Sequence, residues 1–325
     1  MKNKFNVAIV GATGLVGRKF IEVLEKRNFP INKLKLFASE KSKGKQIFAL
    51  GKERKLFTLE NGCFVGYNLV FFCAGKEISL RYAPWATNEG ALVIDNSSAF
   101  RNNPKVPLVI PEINGEILQK STYRLISNPN CSTAIAILPL KKLDELYGLK
   151  RVIYTTYQAV SGSGQKGIDD LSRCKKGCTN TFYKADVSKN FIAEIGGYGK
   201  FGYTEEEWKM INETKKILEK SVDVSATCVR VPIENCHGVS VEVELERDFL
   251  DEEIKTVFRS IKGIELCALP IPSLANGKDN VLVGRIKRSL AFKNGLSYFC
   301  VGDNLLKGAA LNAVQIAEMA IKYLN

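Results

Sequence analysis

The sequence predicts an α/β fold with two domains: an N-terminal doubly wound, Rossmann-type domain and a second α+β domain with a mixed or antiparallel sheet. Three observations lead to this prediction. Short apolar runs alternate with helical patterns over the first third of the chain, a glycine-rich turn follows the first run, and longer strands dominate after residue 150. Strands that alternate with helices are typical of a parallel sheet covered on both faces. Strands that alternate polar and apolar residues suit a sheet covered on one face.

Each apolar run of the first domain predicts a strand of one sheet. These runs are FNVAIV, KLKLFAS, LVFFCAG, ALVIDNS, LVIPEI and RLISN. Helical periodicity predicts helices at about residues 14–27 and 78–88, and another after residue 131. The predicted strands of the second domain are RVIYTTYQAV, VDVSATCVRVPI, HGVSVEVELE, VLVGRIKR and GLSYFCVGD. Residues 173–203 show no clear periodicity, so we expect an irregular excursion there.

The change of pattern places the domain boundary after residue 130. We therefore assign residues 1–130 to the first domain and residues 131–303 to the second. In the last segment, residues 304–325, apolar residues recur three and four positions apart, which predicts a helix that packs back on the first domain. Asp303 and Asn304 are suited to cap the start of this helix.

The composition argues against a membrane protein and a secreted one. No window approaches the ~18 uninterrupted apolar residues of a membrane span, and the chain runs directly into a strand instead of a signal peptide. We expect a cytoplasmic protein whose nine cysteines are reduced. The close pair Cys174 and Cys178 has no second pair and no nearby histidine, so we expect no metal site.

The net charge is strongly positive, since 47 Lys and Arg residues face 34 Asp and Glu residues to give +13. The basic residues are dispersed, without a long like-charged run or the aromatic-basic motif of an RNA-binding sheet. We therefore expect neither a nucleic-acid nor a membrane partner. A positive field favours small anionic ligands such as nucleotides and phosphorylated substrates.

A glycine-rich turn with the spacing G-x-x-G-x-x-G follows the first strand, at Gly11, Gly14 and Gly17. Its glycines lie between a buried strand and an amphipathic helix, where main-chain amides bind a pyrophosphate. This context favours a dinucleotide site over a merely structural turn. The predicted cofactor-binding residues of this turn are Gly11, Ala12, Thr13, Gly14, Leu15 and Val16.

The end of the second strand predicts which dinucleotide binds. An NAD-selective site places an acidic residue there for the ribose 2′-hydroxyl, whereas a 2′-phosphate needs donors and positive charge. The strand ends at Ser39 and is followed by a loop with Lys41 and Ser42, which favours NADP. Glu40 argues for NAD, because it could serve a 2′-hydroxyl instead, and a solvated loop without a role is the remaining alternative.

Cys131 and the single histidine, His237, are the candidates for thiol chemistry. In SNPNCST the cysteine begins a helix, where the helix dipole and free amides lower a thiol pKa from its usual ~8.5. Any imidazole acid/base chemistry must use His237, which we expect to titrate at about 6 to 7. Cys131 and His237 could also be buried residues that serve only the fold. A cysteine protease is the alternative enzyme class for a Cys and His pair. A protease, however, would leave the nucleotide turn without a function.

Eight motifs occur in order along essentially the whole chain: GATGLVG, ASEKSKG, DNSSAFR, SNPNCST, YQAVSGSG, EEWK, RVPIENCHG and DNLLKGAALNAVQIAE. Taken together, they resemble the aspartate-semialdehyde dehydrogenase family. The resemblance implies NADPH-dependent reductive dephosphorylation of aspartyl 4-phosphate to aspartate 4-semialdehyde through a cysteine thioester. This reaction stands early in lysine, diaminopimelate, threonine and methionine biosynthesis. It also implies inorganic phosphate as a co-substrate and a homodimer or homotetramer.

The resemblance also implies residue roles. Cys131 would form the acyl-enzyme, Gln158 would orient it, and His237 would move the proton. The substrate-binding set is Arg230 for the α-carboxylate, Glu206 for the α-ammonium, and Lys209 and Arg101 for phosphate. Ser161, Gly162 and Asn304, in two of the motifs, would contact the cofactor.

One departure from the family pattern is Cys236-His237-Gly238, where the family usually has Gly-His-Ser. It puts the backbone beside the imidazole in doubt, since glycine adopts conformations that cysteine does not. Two alternatives stay open: another acyl-phosphate reductase, such as N-acetyl-glutamyl-phosphate reductase, and a non-enzymatic paralogue that binds nucleotide.

Overall fold

The structure, a computed structural model, describes residues 4–120 and 123–323. The strands are β1 (Phe5–Val10), β2 (Ile31–Phe37), β3 (Gln46–Ala49), β4 (Lys52–Phe57), β5 (Leu69–Phe72), β6 (Leu92–Asp95), β7 (Leu125–Ser127), β8 (Leu149–Gln158), β9 (Asp223–Arg230), β10 (His237–Leu245), β11 (Ile264–Leu266), β12 (Val281–Ser289) and β13 (Gly295–Gly302). The α-helices are α1 (Leu15–Lys26), α2 (Lys76–Asn88), α3 (Pro111–Asn114), α4 (Cys131–Ala136), α5 (Leu138–Tyr147), α6 (Gln165–Lys175), α7 (Glu205–Leu218), α8 (Asp251–Ser260), α9 (Pro272–Ala275) and α10 (Leu311–Ala320).

The chain divides into two compact units. Unit 1 comprises Met1–Pro129 and Ala309–Asn325, and unit 2 comprises Asn130–Gly308. Residues 304–308, which the sequence analysis assigned to the returning C-terminal helix, lie in unit 2. Asp303 accepts the N–H groups of Leu305 and Leu306, and a π-helical turn over Leu306–Ala310 precedes α10. The last two residues of the predicted helix lie outside the described residues.

Unit 1 contains a seven-stranded sheet in the order β3-β4-β2-β1-β5-β6-β7. All its pairings are parallel except β3 with β4, so the predicted doubly wound sheet is confirmed. Consecutive strand residues face opposite sides of a sheet. Phe71 contacts Phe20 of α1, while Phe72 belongs to a buried cluster with Ala83 and Ala86 of α2. The two helices therefore cover opposite faces.

Two local predictions for unit 1 need correction. The run LVIPEI is not a strand: only Leu108 bridges to Ser127, and Pro111 begins α3 instead. Proline fixes φ near the helical value and lacks an N–H, so it suits a helix start and not a sheet interior. The β3–β4 hairpin was not predicted, and its turn residues Leu50 and Gly51 both have positive φ. Leucine is rare in that conformation, so the turn has no familiar sequence signal.

Unit 2 contains a six-stranded sheet in the order β11-β12-β13-β10-β8-β9. The β8–β9 and β11–β12 pairs are parallel and the others antiparallel, which confirms the predicted mixed sheet. Beyond α6 the chain is irregular until residue 199, as predicted, and it is tied to α6 because Asp170 accepts N–H groups of Thr181 and Tyr183. Within residues 4–120 and 123–323, no helix combines the length and apolar character of a membrane span.

We predict that Gly17→Ala destabilises unit 1, because a Cβ at Gly17 would lie 2.2 Å from the Gly11 carbonyl oxygen. Neither main-chain segment can move without disturbing β1 or α1, so the expected loss is about 1 to 3 kcal/mol of unfolding free energy. Gly75→Ala is the control: Gly75 lies immediately before α2, as Gly17 lies in the first turn of α1, but a Cβ at Gly75 would have no neighbour within 4 Å. Urea unfolding of both variants measures the effect, and equal losses would contradict it.

Candidate functional site

The glycine turn leaves the start of α1 open to a ligand. The N–H groups of Gly11 and Ala12 donate to the Phe37 carbonyl at 2.9 and 3.0 Å, which ties the turn to β2. Gly14 is the residue before α1, and no side chain caps the helix. The first N–H groups of α1 are therefore not taken by a protein side chain, as a pyrophosphate site requires.

A cavity of about 310 Å³ adjoins this turn in unit 1. Its lining residues are Val10, Gly11, Thr13, Gly14, Phe37, Ala38, Ser39, Leu59, Cys73, Ala74 and Ile78. The structure thus brings Ser39 and the glycine turn to one cavity with apolar walls, which suits a nucleotide base and ribose. Cys73 and Ala74 were not predicted from the sequence. The signal for them was their position directly after β5, the parallel neighbour of β1.

In the loop beyond Ser39, Glu40 pairs with Lys43, whereas Lys41 is exposed to solvent. Glu40, Lys41 and Ser42 form a short 3₁₀ turn, and the Glu40 carboxylate lies 3.5 Å from the ammonium of Lys43. Lys41 is exposed and makes no hydrogen bond or ion pair with any residue that the structure describes. The acidic residue that argued for NAD is therefore partly neutralised.

Cys131 is the first residue of α4, as predicted, and it is partly exposed. Asn130 is the N-cap, and its side-chain oxygen accepts the N–H groups of Ser132 and Thr133 at 3.0 and 3.3 Å. This finding modifies the prediction of free amides beside the thiol, because the cap already occupies two of them. Asn130 was not identified from the sequence, although Asn before a helix is a common capping signal.

The Glu206 carboxylate links several of the predicted site residues. One oxygen accepts the side-chain amides of Asn130 at 2.8 Å and Gln158 at 3.2 Å. The other accepts the ammonium of Lys209 at 3.0 Å. Burial alone would raise the pKa of Glu206, but Lys209, Asn130 and Arg230 outweigh it and hold the pKa at about 2. Glu206 is therefore a buried anion at neutral pH.

The start of α7 places this carboxylate. Thr204 and Glu207 form a capping box, in which the Thr204 N–H donates to Glu207 at 2.7 Å and the Glu207 N–H donates to Thr204 at 3.4 Å. Because the box fixes the first helical residue, it also fixes Glu206 in the first turn. A negative charge there is favoured by the helix dipole.

His237 is fully buried at the start of β10 and is held in one tautomer. The main-chain N–H of Ala159 donates to its Nδ1 at 3.0 Å, so the ring proton resides on Nε2. Nε2 has no hydrogen-bond partner within the described part of the chain. An uncommitted N–H donor in a buried site is suited to a substrate oxygen.

The predicted titration of His237 near neutral pH is wrong. Burial, reinforced by the positive charge of Arg230, lowers the pKa of His237 to about 3, while Glu206 opposes the shift. The imidazole is consequently neutral at physiological pH. No residue pattern around His237 indicates this burial.

Arg230 ends β9 directly beside Gln158, its partner in the β8–β9 register. Its Nη1 donates to the Ala159 carbonyl at 2.5 Å, and its buried Nε has no hydrogen-bond partner within the described residues. A Cβ at Gly162 would lie 2.9 Å from Nη1 of Arg230 and 3.2 Å from Nε2 of His237. The guanidinium and imidazole therefore share one pocket, whose wall includes Gly162.

Asn304 supports the backbone beside His237. Its side-chain oxygen accepts the Cys236 N–H at 2.9 Å, and its amide donates to the Ser161 hydroxyl at 2.9 Å. Cys236 has φ of +74°, a conformation that favours glycine. The backbone expected from the family pattern is thus retained in spite of the cysteine, and burial raises the Cys236 pKa to about 12.

Cys228 is a second thiol near Cys131. It lies fully buried on β9, within electrostatic range of both Cys131 and Glu206. Burial raises its pKa far above the usual value for a thiol, and Glu206 adds to the effect.

The predicted residues fall into two groups. Unit 2 brings together the catalytic set, three of the substrate-binding residues and three predicted cofactor residues, namely Cys131, Gln158, His237, Glu206, Lys209, Arg230, Ser161, Gly162 and Asn304. Arg101 lies in unit 1, where its guanidinium donates to the Asn96 carbonyl at 2.9 Å. Ser39, Lys41, Ser42 and the glycine turn also lie in unit 1. No cluster of three metal-ligating side chains occurs among residues 4–120 and 123–323.

Family models, curated relatives and solved structures that resemble this chain are semialdehyde dehydrogenases, and the relatives match over nearly its full length. Two family models match: the semialdehyde dehydrogenase NAD binding domain over residues 6–121 and the semialdehyde dehydrogenase dimerisation domain over residues 139–307. The aspartate-semialdehyde dehydrogenase of Aquifex aeolicus is 42% identical, with 98% of each chain covered. That of Bacillus subtilis is 41% identical over 100% of this chain and 99% of the relative. The crystal structure of Vibrio cholerae aspartate semialdehyde dehydrogenase II complexed with ASA superposes with a TM-score of 0.95, at 39% identity and 99% coverage of both chains.

We predict that His237 makes the fold sensitive to mild acid. Its folded-state pKa of about 3 lies below the unfolded value of 6.5, so between these pH values only the unfolded chain binds the proton. Stability therefore falls as the pH falls through this window, with a limiting slope of about 1.4 kcal/mol per pH unit. In His237→Asn, whose amide oxygen can still accept the Ala159 N–H, this contribution should vanish. Urea unfolding of both proteins from pH 8 to pH 5 tests it: parallel curves would refute the prediction.

Proposed function

The chain belongs to the aspartate-semialdehyde dehydrogenase family, and on that premise we propose that it reduces aspartyl 4-phosphate to aspartate 4-semialdehyde with NADPH through a thioester at Cys131. It is an oxidoreductase that acts on an aldehyde group, in amino-acid biosynthesis. Its dimerisation domain indicates an oligomer, which we propose is a homodimer, with a homotetramer as the larger alternative. The observation that carries the proposed chemistry is the buried Glu206 network, which joins the cap of Cys131 to Gln158 and Lys209.

Cys131 supplies the nucleophile in this proposal. Its thiolate attacks the acyl-phosphate carbonyl carbon, the carbon–sulfur bond forms, and the carbon–oxygen bond to phosphate breaks to release inorganic phosphate. Gln158, held against Glu206, lies close enough to the cap of Cys131 to orient the acyl group. When bound, NADPH supplies the hydride that reduces the thioester carbon.

His237 acts as a hydrogen-bond donor to the acyl oxygen. Since Nε2 carries the ring proton, it can stabilise the negative charge that develops on that oxygen. Expulsion of the Cys131 thiolate then restores the carbonyl as the aldehyde, so the reductive half-reaction balances without a net proton transfer. In place of the acid/base role expected from the sequence, we propose that His237 only donates a hydrogen bond from Nε2 to the acyl oxygen. The reverse direction retraces these steps.

The charges in unit 2 match the amino-acid part of the substrate. Arg230 presents a buried guanidinium whose Nε lacks a partner within the described residues, which suits the α-carboxylate. Glu206, anionic at neutral pH, suits a free α-ammonium. This observation disfavours N-acetyl-glutamyl phosphate as the substrate, because an acetylated nitrogen is a neutral amide. Lys209 and Arg101 are proposed for the phosphate.

The proposed cofactor is NADP. The cavity beside the glycine turn includes Ser39, Lys41 is exposed just beyond it, and the Lys43 ammonium lies 3.5 Å from the Glu40 carboxylate. This arrangement supports a 2′-phosphate over a 2′-hydroxyl. Ser161, Gly162 and Asn304 are proposed as further cofactor-binding residues.

The function is tested directly by NADP reduction in the presence of aspartate semialdehyde, with and without inorganic phosphate. Phosphate-dependent turnover is the expected result. Turnover with N-acetyl-glutamate semialdehyde instead would identify the other acyl-phosphate reductase, and binding of NADP without turnover on either aldehyde would favour the non-enzymatic alternative.

We predict that Cys131→Ser lowers kcat by at least about 10³ while NADP still binds, because an alcohol cannot replace the thiolate as nucleophile. The cofactor turn lies in unit 1, so titration calorimetry with NADP should give an unchanged Kd. Cys178→Ser, which alters an exposed thiol, is the control and should retain native activity. Native turnover in Cys131→Ser would end the assignment of the nucleophile.

We predict that the native protein prefers NADP over NAD by at least about 10-fold in kcat/KM, the value of one charge-assisted hydrogen bond. Lys41→Glu should flatten or reverse this preference by placing a negative charge where the 2′-phosphate binds. Lys33→Glu, an equal charge change on an exposed residue of β2, should leave the ratio unchanged. Comparable kcat/KM values with both cofactors in the native protein would show that the loop does not select the phosphate.

A further inference from the structure

Glu213 is a buried carboxylate that the proposed reaction does not use. It lies on α7, is 1% exposed, and its Oε2 accepts the main-chain N–H of Asn130 at 2.6 Å. Asn130 immediately precedes the nucleophile Cys131. Lys216, three residues further along α7, interacts electrostatically with the same carboxylate.

Glu206 and Glu213 are seven residues apart, two turns of helix, and therefore point from one face of α7. Glu206 accepts the side-chain amide of Asn130 at 2.8 Å, whereas Glu213 accepts its main-chain N–H. The oxygen of the same Asn130 side chain caps α4. The cap residue is thus held at its main chain and at its side chain by two carboxylates of one helix.

We propose that Glu213 is a positioning residue for the nucleophile: by accepting the Asn130 N–H it fixes the backbone from which the Cys131 side chain projects. The inference rests on the proposed role of Cys131. A hydrogen bond of 2.6 Å restrains the position and direction of the N–H that donates it, and a backbone shift of about 1 Å at a reacting group can cost on the order of 10² in rate. Glu213 acts through Asn130.

The test compares Glu213→Ala with Glu213→Gln. Alanine removes the acceptor, while the glutamine side chain keeps an oxygen that can accept the same N–H. The matched control is Thr214→Val, the adjacent residue of α7, which loses a buried hydrogen bond to the Tyr154 hydroxyl at 3.0 Å but none to Asn130. All three changes affect buried polar groups of one helix.

Two quantities are measured on the full-length protein. The first is the rate at which iodoacetamide alkylates Cys131 without substrates, quantified by peptide mass spectrometry relative to the exposed Cys178 in the same sample. The second is kcat together with KM for NADP and for the semialdehyde. Thermal unfolding reports the general loss of stability.

Glu213→Ala should lower both the Cys131-to-Cys178 alkylation ratio and kcat by about 10-fold or more, with KM for NADP unchanged. Glu213→Gln should recover most of both, and Thr214→Val should lower the melting temperature without changing either. The proposal is overturned if Glu213→Ala changes only the melting temperature, or if Thr214→Val slows alkylation equally. Because alkylation needs no turnover, absence of native activity would refute the proposed function while the ratio still tests the positioning role.

Discussion

Glu206 carries its negative charge where water hardly reaches it, and such a charge persists only if neighbouring groups replace its hydration. Lys209, Asn130 and Gln158 do so through hydrogen bonds, and Arg230 does so through its field. Each of these groups is in turn fixed by the requirement to satisfy the carboxylate. The cap of the helix that begins at Cys131 and the two cations proposed to bind the substrate are therefore ordered around a single anion.

This arrangement depends on where α7 begins. The capping box of Thr204 and Glu207 sets the first turn, and the parallel pairing of β8 with β9 puts Gln158 beside Arg230. Helix start and strand register are properties of the fold, so the chemistry relies on local structure that carries no reactive group. A one-residue slip of β9 would turn Arg230 to the other face of the sheet.

Residue patterns were sufficient to predict the arrangement of strands and helices and most of the side chains of the candidate site. The glycine turn after β1 and the helix start at Cys131 are local signals, readable within about ten residues. The contacts that organise the site are not local. Asn130 and Glu213 are 83 positions apart, and no sequence pattern near either residue predicts the hydrogen bond between them.

The errors have a similar cause. The apolar run LVIPEI was predicted to be a strand, but Pro111 begins a helix instead. The β3–β4 turn was not predicted because Leu50 adopts a positive φ, which is rare for leucine. The pKa of His237 was misjudged because it depends on complete burial and on Arg230, which only the folded chain brings near. Sequence alone identifies a titratable group, whereas its proton affinity is a property of its surroundings.

The buried thiol of Cys228 has a consequence for the fidelity of the proposed reaction. An acyl group on sulfur can migrate to another sulfur by thioester exchange, and the attacking species in that exchange is a thiolate. Cys228 lies close enough to Cys131 to interact with it electrostatically, yet burial and the charge of Glu206 keep its proton in place. In the proposed reaction, a neighbour that stays protonated would not compete for the acyl group, which would then remain on Cys131 until the aldehyde is released.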